Sequence, residues 1–94
     1  MQYLVVAWDG TDGQAPARRQ AVREAHLAGV GAMKESGAMI CGGALLDDDG
    51  RMIGSACIVE FDDRAGLDAW LERDVYVTGD VWRKIEVTPF RRAV

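Results

Sequence analysis

Histidine is the side chain that gives and takes protons near neutrality, and this sequence has one, His26. It stands four residues after Val22 and four before Val30, on a stripe that continues to Met33. That spacing places the imidazole on the apolar face of a helix. Two readings follow. A neutral imidazole can be a structural residue, hydrogen-bonded within a core. It can also be an acid–base catalyst, which needs an acceptor on one ring nitrogen so that the other faces a substrate; a carboxylate in that place also stabilises the imidazolium formed in turnover. Asp74, in Glu72-Arg73-Asp74-Val75-Tyr76, is the candidate acceptor. Arg23, Ser55 and Tyr76 are candidate substrate-binding groups, because a guanidinium holds an anion and hydroxyls donate or accept. Each of the three also has a plain surface or packing reading. Tyr76, Trp70 and Trp82 either line an aromatic pocket or fill the core.

Other chemistries find less support. Cys41 and Cys57 lie in apolar runs with no Cys-x-x-Cys spacing and no base beside them, so both are expected to be inert core thiols, with neither a disulfide nor structural zinc. Asp47-Asp48-Asp49 lacks the alternating ligands and distant glutamate of a calcium loop and reads as a solvated hairpin tip. Gly10-Thr11-Asp12-Gly13 follows a strand and precedes a helix, yet has neither dinucleotide nor phosphate-loop spacing. No metal and no cofactor are expected.

The elements that must position these residues can be read in order. Tyr3 to Trp8 forms a strand that stops at the turn cluster Asp9–Gly13. A long helix runs from Pro16 to Ser36, ended by Gly37. Ala38 to Leu46 and Met52 to Phe61 are strands joined by a hairpin at Asp49-Gly50. Asp62 is expected to cap a second helix, with Leu67, Trp70 and Leu71 facing the sheet and an end near Arg73. Trp82 to Phe90 is a half-exposed last strand. The order βαββαβ predicts an α+β, ferredoxin-like split-βαβ fold with a four-stranded antiparallel sheet. In the first strand Leu4, Val6 and Trp8 oppose Tyr3, Val5 and Ala7, so both sheet faces are apolar, whereas two helices cover only one. The other face is expected to be covered by a second copy of the chain.

Val22-Arg23-Glu24-Ala25-His26-Leu27, Gly54-Ser55, Asp74-Val75-Tyr76 and Val87-Thr88-Pro89-Phe90, in this order over nearly the whole chain, resemble the YciI-like (YCII-related) family. The sequence departs from the family pattern at Val75, where proline is usual, and at Gly43-Ala44, where Gly-Pro is common. The resemblance implies a dimeric α+β barrel with a pocket between helices and sheet, and it places the family's proposed His–Asp pair on His26 and Asp74. One branch of the family dehydrochlorinates chlorinated hydroquinones, which suits a cofactor-independent acid–base site. The expected function is therefore acid–base chemistry, of a lyase or isomerase kind, on a small-molecule ligand. A non-catalytic dimeric ligand-binding or accessory domain is the alternative, and fold analogy alone adds an oxygen-using monooxygenase.

Ninety-four residues are expected to form one domain spanning 1–94. With a net charge of −4 and dispersed basic residues the chain offers no footprint for nucleic acid. Its apolar N-terminal run breaks at Asp9, too early for a leader or a membrane span, and the expectation is a cytoplasmic protein that meets no membrane.

Overall fold

The computed structural model describes residues 1–94. Its elements are β1 (Gln2–Asp9), α1 (Ala15–Ser36), β2 (Met39–Leu46), β3 (Met52–Glu60), α2 (Arg64–Arg73), α3 (Val75–Thr78) and β4 (Trp82–Phe90). The strands form one antiparallel sheet in the order β2-β3-β1-β4, the ferredoxin-like arrangement read from the sequence. No helix is long and apolar enough to cross a membrane.

Local chemistry sets the element boundaries. The chain enters α1 through Asp12, whose side chain accepts the Gln14 N–H and a two-pronged bond from Arg18 at 2.6 and 2.9 Å. Arg18 holds the Asp12 carboxyl far below the usual carboxylate range, and Asp12 in turn raises Arg18. At the other end Gly37 takes φ 86°, where a side chain would be strained, and its N–H closes on the Lys34 carbonyl. In the β2–β3 hairpin Asp47 Oδ1 accepts the N–H groups of Asp49 and Arg51, while Gly50 supplies the positive φ of 81°.

Two of the expected boundaries change. The cap of α2 is Asp63 rather than Asp62: α2 starts at Arg64, and only a side chain three residues before Gly66 can accept its N–H. The short helix α3 has no counterpart in the sequence reading. Four residues are too few to show a helical period, and Val75, Val77 and Thr78 are β-branched and favour strands. It forms because Asp74 caps it and because Gly79, at its end, donates to the Val75 carbonyl.

The core lies between the sheet and the helices. Tyr3, Val5, Met39, Val59, Leu67 and Trp70 form one buried cluster, and Ala7, Tyr76, Val81 and Trp82 a second. Strand pairing sets Ser55, Cys57 and Val59 of β3 beside Ala7, Val5 and Tyr3 on this face, with Ile85 and Val87 of β4 completing it. The opposite face carries Leu4, Val6, Trp8, Ala56 and Ile58, all only partly covered within the chain. At its β4 edge the apolar character gives way to Lys84, Glu86 and Thr88, paired with Trp8, Val6 and Leu4.

Candidate functional site

The two elements that carry His26 and Asp74 meet where α1 passes over the junction of α2 and α3. Asp74 ends α2 and begins α3 in extended conformation, and its Oδ1 accepts the Tyr76 N–H at 2.8 Å. The same oxygen lies 3.0 Å from His26 Nδ1, with the side chains 11% and 7% exposed. An ionised carboxylate only accepts, so Nδ1 carries a proton, and in the neutral imidazole Nε2 then holds the free lone pair. Tyr76 fixes the ring from its flat side, stacked at 3.7 Å between centroids, and Trp82 meets its edge at 5.6 Å. The orientation of the imidazole is thus set in three directions. Burial raises the Tyr76 hydroxyl above its ordinary range, against the opposing pull of Arg19 and Arg23, so it remains a neutral phenol.

Beside this pair lies an arrangement absent from the sequence reading. Asp9, the last residue of β1, and Arg19, on the first turns of α1, form a buried ion pair with both carboxylate oxygens 3.0 Å from Arg19 Nη1. Arg19 Nη2 donates to Ser55 Oγ at 3.0 Å, Trp82 Nε1 donates to the same oxygen at 3.1 Å, and the guanidinium lies 4.8 Å over the Tyr76 ring. One signal was present: Arg19 precedes Val22 and His26 by three and seven residues, on the same helix stripe. An arginine on a buried stripe implies a buried anion, and Asp9 at the strand end is within reach.

Arg19, Ser55, Tyr76 and Trp82 join His26 in walling a cavity of about 140 Å³ between α1, the sheet and the α2–α3 junction. Its floor is low because β2 and β3 present small side chains there: Gly42 faces Cys57, and Ala44 faces Ser55. Leu27, Val30, Met39 and Trp70 give it apolar sides. Arg23 also reaches the wall, and no carboxylate in the chain pairs with it. The cavity therefore gathers His26, Arg23, Ser55 and Tyr76 of the residues singled out in the sequence, with Asp74 behind His26. Cys57 is in its floor, and its thiol is pushed up to about 12, chiefly by burial and further by the charge of Asp74, which makes it a poor nucleophile. Cys41 departs from the core reading. It lies one residue off the floor register, on the opposite face of the edge strand, and is exposed. No three of the His, Cys, Asp and Glu side chains gather as a metal-binding group would require.

Comparison with known proteins gives a consistent result. The chain is 31% identical, over 98 aligned positions covering 98% of both sequences, to Protein YciI of Escherichia coli O6:H1 and to Protein YciI of Shigella flexneri. Among solved structures it is similar to a 5-chloro-2-hydroxyhydroquinone dehydrochlorinase from Burkholderia phenoliruptrix, solved in complex with 2,5-dihydroxybenzoquinone. There the TM-score is 0.85 and the identity 23%, over 99% of this chain and 96% of that one. A dimeric ferredoxin-like protein of unknown function from Jannaschia shares the fold more distantly, with a TM-score of 0.54 and 18% identity over 97% and 98% of the two chains. The family described as the YCII-related domain matches residues 1–91, and the chain belongs to that family.

Proposed function

We propose that the chain is a cofactor-independent acid–base enzyme, in which His26 Nε2 takes a proton from a small molecule held in the cavity and Asp74 keeps the imidazole in the required tautomer. The observation that carries this reading is the contact of 3.0 Å between His26 Nδ1 and Asp74 Oδ1 on the wall of a cavity fitted to a small ligand. Lyase or isomerase chemistry suits a site with one base and several hydrogen-bond donors. The similar dehydrochlorinase, whose solved structure holds a dihydroxybenzoquinone, lends support to a small oxygenated ring as ligand. Arg23 and Tyr76 fit the role of substrate-binding groups.

The working unit in this reading is a homodimer joined through the open sheet face, where Leu4, Val6, Trp8 and Ile58 are incompletely covered. The dimeric ferredoxin-like protein from Jannaschia supports it by analogy.

The test begins with the ring nitrogens. Long-range ¹⁵N–¹H correlation in wild type is expected to show the Nδ1–H tautomer at high pH, and Asp74→Asn to disturb it. Small carbonyl and hydroquinone compounds that shift the ring signals are then incubated in D₂O and followed for deuterium uptake or elimination. Uptake abolished in a folded His26→Gln protein supports the reading. Uptake unchanged in that variant sinks it, and tight binding with no proton exchange in wild type gives precedence to a non-catalytic ligand-binding domain.

A further inference from the structure

Ser55 is held in an unusual state. A hydroxyl oxygen has two lone pairs and one hydrogen. Arg19 Nη2 and Trp82 Nε1, at 3.0 and 3.1 Å, occupy both lone pairs, and no protein group accepts from Ser55 Oγ. The hydroxyl hydrogen is therefore free to donate, from a residue on the cavity wall. Its acidity is strengthened by the charged donor behind it, since bonds in a chain polarise one another.

Positive charge stands behind and beside this hydroxyl. Arg19 is 6% exposed and its Nη1 and Nη2 are committed to Asp9 and Ser55, yet its Nε has no acceptor in the protein. That nitrogen is wholly enclosed by protein, out of a ligand's reach, so Arg19 acts on the cavity through Ser55. Arg23 adds an unpaired positive charge to the same wall. The Ser55 hydroxyl and the Arg23 guanidinium, neither with an acceptor in the protein, thus line the same cavity as His26.

We infer that Ser55, set by Arg19 and Trp82, is the principal donor of an oxyanion site, and that the ligands of this cavity are carbonyl compounds or enols whose proton loss places negative charge on oxygen. The inference rests on the reading of His26 as the base and deepens it by naming the substrate class. When His26 Nε2 removes a proton from the carbon beside the carbonyl, the C–H electron pair forms a C=C bond and the carbonyl π pair moves onto oxygen. That oxygen accepts from the Ser55 hydroxyl. Return of the proton to a different carbon gives an isomerase. Collapse of the enolate with departure of a leaving group from the adjacent carbon, carrying its electron pair, gives a lyase. Neither course consumes an oxidant or a reductant. Asp9 touches no ligand; it is a positioning residue that aims Arg19.

The test uses two flat probes of similar size, 4-nitrophenolate as the oxyanion and 4-nitroanisole as its neutral counterpart. Binding is read on the Trp82 indole N–H and the His26 ring signals at a pH where the phenol is ionised. Wild type is expected to bind the anion at least about tenfold more tightly, the ratio expected of one charge-assisted hydrogen bond. Ser55→Ala should lower that preference at least about threefold, leaving what the Arg23 charge supplies, while affinity for the neutral probe stays the same, and Ser55→Thr should restore most of it. Equal affinity for the two probes in wild type, no detectable binding of the anion, or a preference unchanged in Ser55→Ala overturns the inference, and the wild-type comparison stands even if a variant fails to fold. His26→Gln separates the two readings: it should retain the preference for the anion, because the oxygen is held by Ser55. A preference that follows Ser55, together with proton exchange that ignores His26, would leave the oxyanion site standing and remove only the proposed base.

Discussion

The side chains on the cavity wall are held by charges that nothing exposed could replace. Asp9 and Arg19 are 4% and 8% exposed at their side chains, and each is neutralised only by the other. Removing one partner of a buried pair leaves an uncompensated charge, and Asp9→Asn is expected to cost about 3–5 kcal/mol of stability, measured by urea unfolding. A loss below about 1 kcal/mol, the range of an exposed pair, would contradict the burial of this contact. His26 was legible in the sequence because it is a lone histidine on an apolar stripe, and Ser55, Arg23 and Tyr76 because they recur at the family's positions. Arg19 was not singled out, since a charged residue in a helix is usually solvated and its partner lies ten positions away on another element.

Among the elements, the strands make the cavity by what they lack. Gly42, Ala44, Ser55 and Cys57 form a floor of small side chains, and only one of these is a thiol. With its thiol raised to about 12 by burial, Cys57 stays protonated in the folded protein through the range where an unfolded cysteine ionises, near pH 9. The unfolded state then binds fewer protons than the folded one, so this group's contribution to stability is full below about pH 9 and is lost as pH rises toward 12. Native protein at pH 8.5 is expected to be alkylated by iodoacetamide at Cys41 and spared at Cys57, with both modified in denaturant. Rapid native modification of Cys57 would show that β3 is not covered as described. Apolar runs bounded by turn residues located the first three strands, and periodicity located the last strand and both long helices, each long enough for its pattern to be counted. It did not locate α3, because that helix owes its existence to the Asp74 cap rather than to its own β-branched residues.

For the whole molecule, the unequal faces of the sheet bear on the proposed assembly. One face is sealed by helices, while the other leaves Leu4, Val6, Trp8, Ala56 and Ile58 partly uncovered in the single chain. Burying such a stripe against its own copy stabilises by roughly 25 cal/mol for each Å² of apolar area removed from water. Sedimentation at micromolar concentration is expected to give twice the chain mass of 10.3 kDa. Val6→Asp should yield monomers, because a charge at the centre of that stripe would be buried unpaired. A wild-type mass of one chain would rule out this assembly.

The cap at the α2–α3 junction also bears on how the site could be rebuilt elsewhere. A single oxygen, Asp74 Oδ1, accepts the Tyr76 N–H and faces His26 Nδ1, and the Tyr76 ring lies flat on the same imidazole. Turn, tautomer and ring plane are consequently not separable traits. Grafting the histidine and aspartate alone onto another scaffold would transfer the atoms without their alignment. The portable unit is the segment Asp74–Thr78 docked against one turn of α1, and a designer who moved that unit whole would carry an oriented imidazole with it.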